Sequence, residues 1–508
     1  MKKKIEKKQV AAVFIVLVAN LLFLWMVWML GKYDRISLDQ VIFQIKTSAA
    51  GASRNITNSA VIRVGLFGLI LTAMEAQFYR GLCGKLAGKL SRTKGYVRYC
   101  AGKTCAFFRR RILPVSLAVL LFSSLMFTHK LEVVAYVEAS TTESDFIRTH
   151  YADPEQVALA FPEKKRNLVY IFLESMENTY ADLSAGGSIS ADFIPELSQL
   201  AEENISFSDR AGKGGMLSFS GTTWTAAAMV AQTAGMPVKV PSLAGNYGGN
   251  DTFMPGLCSI GEILQKQGYE QTLLIGSDGA FAGRDTYFTE HGGYRILDIH
   301  AFKEMEKLPK NYRQWWGFED EKLFAFAKEE LLRLAAGEAP FNLTLLTADT
   351  HFPDGYVCHL CGNEHEEQYA NVLSCSAKQV ASFIGWIKEQ PFYENTTVII
   401  VGDHLTMDPL FLEDIGEDYV RTVYNCFINA PVKPVNGRLR QFGAFDMFPT
   451  TLAALGVRIQ GERLGLGVNL FSEEPTLTEL YGYEALNDEL QKKSVFYNET
   501  FLGMGKEE

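Results

Sequence analysis

Two short strings in this 508-residue chain put metal-ligating side chains directly behind apolar runs. Leu168–Leu173 is followed by Glu174-Ser175, and Val398–Val401 by Gly402-Asp403-His404. Carboxylate oxygens with one imidazole nitrogen form a mixed donor set suited to Mn2+, Zn2+ or Mg2+. An Asp-His pair behind a strand can equally be turn or capping chemistry, so the pair alone assigns nothing. Two further runs end alike: Thr272–Ile275 leads to Ser277-Asp278, and Leu343–Leu346 leads to Asp349-Thr350-His351. In open α/β sheets ligands bind beyond the carboxyl ends of the strands, so the four ends are expected on one rim.

A nucleophile candidate lies between them, in Ser218-Phe-Ser-Gly-Thr-Thr-Trp-Thr-Ala-Ala-Ala. The alanine run predicts a helix from Thr225, and Gly235-Met-Pro237 predicts its stop. Thr225 then stands at a helix N-terminus, where free N–H groups favour a phosphate or an alkoxide. It could also simply cap that helix, and Thr222 and Thr223 compete with it on position. A threonine hydroxyl is a weak nucleophile until a metal activates it. Arg284 offers a fork that suits phosphate, and His351 a further donor, although each has an ordinary surface or salt-bridge reading. The residues alone reach metal-assisted phosphoryl or sulfuryl chemistry.

The elements that must position these groups alternate in type. Between the apolar runs lie segments of helical periodicity at Ile194–Glu203, Thr225–Gly235, Ser259–Gly268, Asp320–Ala336, Ser376–Glu389 and Met447–Leu455. Apolar strands alternating with helices predict an α/β fold with a mostly parallel sheet covered on both faces.

Charge divides the chain. Residues 1–130 carry 21 Lys+Arg against four Asp+Glu, which leaves 49 − 21 = 28 basic and 58 − 4 = 54 acidic residues for 131–508. The acidic part lacks what replaces phosphate counterions, so no nucleic-acid partner is implied. The basic part predicts an all-α membrane anchor of three transmembrane helices, at about 10–31, 56–78 and 112–128. The second contains Arg63 and Glu75, which are costly in a bilayer. Ten Lys/Arg and no acid between Arg80 and Arg111, and the basic start MKKKIEKK, place both segments on the cytoplasmic side. The third span then exports the rest: a polar juxtamembrane linker (131–163), a catalytic domain (164–475) and a C-terminal extension (476–508).

Of eight cysteines, Cys83, Cys100 and Cys105 fall in the anchor, and Cys258, Cys358, Cys361, Cys375 and Cys426 in the exported part. Cys358-His359-Leu360-Cys361, with His365 and Cys375 nearby, has the outline of a zinc knuckle but lacks a second ligand pair. In an exported loop the expectation is a disulfide from Cys375 to Cys358 or Cys361.

Beyond these readings, the exported part resembles the alkaline phosphatase/sulfatase superfamily, specifically its lipoteichoic acid synthase and phosphoglycerol transferase branch, nearest to the glucan phosphoglycerol transferases. The resemblance runs through NLVYIFLESMENTY (167–180), GTTWTAAAMVAQTAGMP (221–237), WGFEDEKLF (316–324), TADTHFPDG (347–355), VIIVGDHL (398–405) and FDMFPTTLAALGVRIQGERLGLGVNLF (445–471). It implies a sulfatase-like three-layer domain in which Glu174, Thr225, Asp403 and His404 hold one divalent ion. That ion would be Mn2+, with Mg2+ or Zn2+ as alternatives. It implies that Thr225 becomes covalently linked to phosphoglycerol and that Arg284 and His351 contact the head group. The implied donor is phosphatidylglycerol in a bacterial cell membrane. The implied acceptor is a hydroxyl of a cell-envelope glycan, glycolipid or teichoic acid. The outward loop DQVIFQIKTSAAG (39–51) also resembles a segment of this branch.

Some features depart from that pattern. Three spans are read here, fewer than lipoteichoic acid synthases carry. The stretch Gly221-Thr-Thr-Trp-Thr shifts the alignment by a residue, which keeps Thr222 and Thr223 in play. No Cys-x-Pro-x-Arg occurs, so the formylglycine route of type I sulfatases is closed, and the paired-metal ligands of alkaline phosphatases are not evident. The alternatives are a phosphoethanolamine transferase or a phosphodiesterase of the same superfamily, and, in another class, a catalytically silent glycan-binding scaffold.

Overall fold

The computed structural model describes residues 7–33, 36–47, 54–79, 114–115, 117–241, 247, 252–408, 411–413, 415–416 and 418–504. The chain forms two compact units, Met1–Arg35 with Ala52–Ala135, and Ile36–Gly51 with Tyr136–Glu508.

In the first unit the helix Lys7–Leu30 packs against a rod made of Arg54–Ala60, the π-helical stretch Val61–Leu66 and Phe67–Tyr79. Ala12–Met29 and Ile56–Ala76 are each long and apolar enough to cross a membrane. Glu75, the costly acid of the second span, accepts a 2.8 Å hydrogen bond from Asn20 Nδ2, which also donates to Thr72 Oγ1 at 3.0 Å. A neighbouring helix thus supplies the partners that lipid cannot. The third apolar stretch is broken: Leu117–Lys130 bends by 59° into Val133–Thr141, so the described residues give two spans, or three if the bent pair is one. Residues 112, 113 and 116 of that expected span lie outside the described residues. So do 1–6, the basic loop 80–111 with its three cysteines, and 48–51 of the outward loop.

The second unit is organised by a six-stranded sheet. Its strands are β1 (Asn167–Leu173), β2 (Glu270–Ile275), β3 (Arg295–Leu297), β4 (Phe341–Leu346), β5 (Thr396–Gly402) and β6 (Asn425–Ile428), in the order β3-β2-β4-β1-β5-β6. All neighbours are parallel except β5 and β6. The central strands are apolar throughout because helices cover both faces. One face packs Val169, Ile171 and Leu173 against Leu197, Leu200, Leu323, Leu331, Leu373 and Phe383 from the helices Pro195–Glu203, Asp320–Ala335 and Gln368–Lys388. On the other face the buried helices Thr225–Ala234 and Met447–Ala454 pack on each other. Tyr170 Oη donates to Gln232 Oε1 at 2.8 Å and Thr397 Oγ1 to the Ala454 carbonyl at 3.0 Å, tying those helices to the sheet. The expected three-layer α/β architecture is therefore present.

Segments outside the expected catalytic range join the same unit. Within the linker, Ile147 on the helix Phe146–His150 is buried, and Leu159–Ala160 pairs antiparallel with Arg458–Ile459. In the C-terminal extension, Tyr497 Oη donates to the Pro237 carbonyl at 2.9 Å and accepts from Lys239 N at 3.0 Å. The helix Leu38–Lys46 buries Phe43 against Trp224, Tyr247 and Phe253.

Candidate metal centre

Strand register brings the first carboxylates together. Leu173 of β1 is paired with Gly402 of β5, so the chain leaves both strands side by side and Asp403 N donates to the Leu173 carbonyl at 3.1 Å. Ser175 then adopts a positive φ of 53°, a conformation unfavourable for a non-glycine residue. The turn points its N–H at Asp403 Oδ1 (2.7 Å) and its hydroxyl at Glu174 Oε1 (2.9 Å). Glu174 is further fixed through its backbone: its N–H donates to Thr347 Oγ1 at 3.0 Å, and Thr350 Oγ1 donates to its carbonyl at 2.6 Å. Strain at one residue thus aims two ligands.

His404 follows directly. Its Nδ1 lies 2.8 Å from the Leu405 carbonyl, so Nδ1 carries the proton and Nε2 presents a lone pair. Nε2 is 3.6 Å from Glu174 Oε1 and 3.5 Å from Asp403 Oδ2. Ligand atoms of Glu174, Asp403 and His404 all lie within 4.8 Å of one another, and all three residues are buried. Asp403 Oδ1 accepts from Ser175 N and His404 N, whereas Oδ2 is buried with no hydrogen-bond partner. A buried, unsatisfied carboxylate oxygen facing an imidazole lone pair fits a cation, because either group alone would be left desolvated.

Thr225 completes the group. It is the first residue of its helix, but the N-cap is Trp224 and no side chain caps that end. Its hydroxyl instead donates to Glu174 Oε2 at 3.2 Å and lies 3.3 Å from His404 Nε2. The capping reading of Thr225 is thus not what the structure shows. Thr222 Oγ1 is consumed by its own turn, donating to the Phe219 carbonyl at 2.8 Å and accepting from Phe219 N at 3.1 Å. Thr223 precedes the cap residue. The helix ends where expected, at Gly235 in the left-handed region (φ 68°). Trp224 is held by the buried ring of Phe43, 5.3 Å between centroids, so the helix Leu38–Lys46 braces the residue before Thr225.

The electrostatics agree with an ion. Burial, and next the charge of Glu174, push the Asp403 carboxyl up to about 7 in the metal-free group. Burial also works to raise Glu174, but the imidazoles of His351 and His404 and the Ser175 and Thr225 hydroxyls hold it below its ordinary value. His404 is raised because the Asp403 and Glu174 carboxylates outweigh its burial. The cluster holds surplus negative charge, which a divalent ion neutralises better than a proton.

Arg284 and His351 both feel the charge of Glu174. Arg284 is buried at the start of the helix Arg284–Glu290, with Nη2 donating to Ser277 Oγ (3.1 Å) and the Asp278 carbonyl (2.9 Å). Burial lowers its guanidinium to about 10, opposed chiefly by the Glu174 carboxylate. His351 is clamped between Trp316 and Phe352, its Nδ1 2.7 Å from the Phe352 carbonyl, and burial lowers its imidazole.

Not every polar strand end converges. The Asp278 carboxylate turns to His300 (2.9 Å), and its strand end meets Arg284 through the Ser277 hydroxyl and the Asp278 carbonyl instead. Asp349 pairs with Asp320: the Asp320 carboxylate accepts from Ala348 N and Asp349 N, and Asp349 Oδ2 accepts from Asp320 N. Sequence reasoning missed Ser175, Thr347 and Thr350 as organisers of the centre. The position of Ser175 between two ligand-bearing turns was the available signal; Thr347 gave none.

Such a centre, at the carboxyl end of a mostly parallel sheet between two helical layers, defines a class of α/β protein with a buried acidic and imidazole cluster that could hold a metal ion. Residues 166–457 match the sulfatase family, and the chain belongs to it. It is 31% identical over 284 residues to phosphoglycerol transferase I of Escherichia fergusonii, covering 54% of this chain and 35% of that protein. It is 32% identical over 265 residues to phosphoglycerol transferase I of Citrobacter koseri, covering 51% and 33%. The match thus spans about a third of the length of these relatives. In fold it is similar to a solved protein of the alkaline phosphatase superfamily from Vibrio parahaemolyticus, with a TM-score of 0.50 at 20% identity, covering 66% of this chain and 79% of that one.

Proposed function

We propose that this chain is a membrane-bound transferase that moves phosphoglycerol from phosphatidylglycerol to a hydroxyl of an extracytoplasmic glycan, glycolipid or teichoic acid, through a phosphothreonine intermediate at Thr225. The observation that carries this reading is the Thr225 hydroxyl, which ignores its own helix and lies between Glu174 Oε2 and His404 Nε2. Glu174, Asp403, His404 and Thr225 would hold one divalent ion, Mn2+ in this proposal, that lowers the hydroxyl pKa and offsets charge on the phosphoryl oxygens. The similarity to phosphoglycerol transferases supports the donor, and two helices able to span a membrane support its location in lipid. The charge asymmetry supports a cytoplasmic N-terminus and an exported catalytic unit.

In the first displacement Thr225 Oγ bonds to phosphorus and the bond to the glyceride oxygen breaks; diacylglycerol leaves with one proton. In the second, an acceptor hydroxyl takes the phosphorus, gives up its proton, and restores the threonine. Glu174 Oε2 accepts the hydroxyl hydrogen bond and so turns a lone pair of Oγ outward. Arg284, already held by Ser277 and Asp278, supplies a fixed cation for the phosphate, and His351 lines the head-group side.

The test is to incubate the purified chain with phosphatidylglycerol labelled in its head group and locate the adduct by mass spectrometry. The reading expects glycerol phosphate on Thr225 and released diacylglycerol. Adduct on Thr222 or Thr223, or label released as ethanolamine phosphate from the corresponding lipid only, would contradict it.

A further inference from the structure

Away from the catalytic rim, the loop after His351 and the helix Gln368–Lys388 bring three sulfurs together. Cys358 Sγ is 3.7 Å from Cys361 Sγ and also 3.7 Å from Cys375 Sγ, and all three lie within 4.8 Å of one another. Zinc–thiolate bonds of about 2.3 Å at tetrahedral angles separate the sulfurs by about 3.8 Å. A disulfide joins two sulfurs and leaves the third over, whereas here Cys358 is equidistant from both neighbours. The expected disulfide of Cys375 with Cys358 or Cys361 is not formed in this structure, where all three are free thiols.

The surroundings are built for thiolates. Cys358 and Cys361 share one turn, with Cys361 N donating to the Cys358 carbonyl at 3.1 Å, and the backbone N–H groups of Leu360 and Cys361 reach the Cys358 sulfur. Gln379, one helical turn after Cys375, points its Nε2 at Cys375 Sγ (3.4 Å) and Cys358 Sγ (3.8 Å), although this leaves its Oε1 buried without a partner. An amide that gives up one hydrogen bond to serve two sulfurs is what a metal-bound thiolate recruits in its outer shell. Cys358 and Cys375 are buried and Cys361 is partly exposed, so the open side faces solvent. His359, in the same turn, is engaged with Glu321 at 2.9 Å.

We propose that Cys358, Cys361 and Cys375 bind a soft divalent ion of the zinc class through three thiolates, with water completing the shell. Binding releases the thiol protons still present, and the ion staples the loop that carries His351 to the helix beside it. The donor set is sulfur only, unlike the oxygen and nitrogen donors of the catalytic centre, so the two sites select different ions.

The test uses the full chain purified in detergent without chelator. In an Asp403→Asn background, which weakens the buried carboxylate and imidazole centre, elemental analysis is expected to find about one zinc per chain, lost on the further change Cys361→Ser. A zinc content unaffected by that change, or none before it, overturns the proposal. So does peptide mapping that finds a disulfide among the three cysteines. A third measurement needs no variant: replacing zinc by cobalt in the unaltered chain should give thiolate-to-cobalt charge-transfer absorption, and its absence overturns the proposal.

Discussion

Replacing Thr225 by alanine removes one hydroxyl from the centre and leaves the helix start untouched, since Trp224 is the N-cap and Thr225 caps nothing. Thr225→Ala loses the hydrogen bond to Glu174, about 1.5–3 kcal/mol for a charged acceptor. Alanine returns about 0.5 kcal/mol through its higher helix propensity. The net cost is about 1–2.5 kcal/mol, which in a unit of this size lowers the Tm by about 1–3 °C. Transfer should fall by far more. Loss of the attacking group in a covalent mechanism costs at least about 10⁴-fold in kcat. The assay is release of diacylglycerol from phosphatidylglycerol, with thermal unfolding and metal content measured on the same sample. Activity within tenfold of the parent, with an unchanged Tm, would refute Thr225 as the attacker.

Three other outcomes follow from the geometry. Asp403→Asn keeps an acceptor for the Ser175 and His404 N–H groups but removes the charge on the orphaned oxygen. Mn2+ affinity should drop by about 100-fold or more, and unaltered binding by titration calorimetry would count against the ligand assignment. Because Asp403 in the metal-free group titrates at about 7, it carries a proton below that pH which the ion must displace. His404, whose imidazole is also raised, must lose its proton as well, so apparent affinity should fall by about tenfold or more per unit as pH drops below 7; a pH-independent Kd contradicts this. Arg421 holds the fully buried Glu177 through two hydrogen bonds, of 2.8 and 2.6 Å, and Glu177 in turn accepts from Thr406 N just past His404. Arg421→Met should cost about 3–5 kcal/mol by leaving that carboxylate unpaired, and Glu177→Gln in the same chain should recover part of it in denaturant unfolding.

The four long strands of the sheet were legible because their apolar runs are continuous, the mark of strands covered on both faces. β3 and β6 were not, being short edge strands whose residues Arg295 and Asn425 break the apolar pattern. The helix expected from Ser376 begins at Gln368, because Tyr369, Val372 and Leu373 already face the core ahead of the cysteine that obscured the period. At the centre, residue types named Glu174, Asp403 and His404, but only the parallel register that pairs Leu173 with Gly402 shows why they meet. Spacing left Thr222 and Thr223 as competitors of Thr225; Thr222 closes its own turn, whereas the Thr225 hydroxyl reaches Glu174 and His404. The role of Phe43 lay beyond any local reading, because the long apolar segments between it and Trp224 separate the two rings in sequence.

The central claim is that one cation joins these distant stretches of chain. Crystals of the full chain grown with Mn2+ and measured at the manganese edge test it directly. A single anomalous peak is expected about 2.0–2.3 Å from atoms of Glu174, Asp403 and His404, with Thr225 Oγ beside it. A peak elsewhere, or none at this centre in an active preparation, would contradict it.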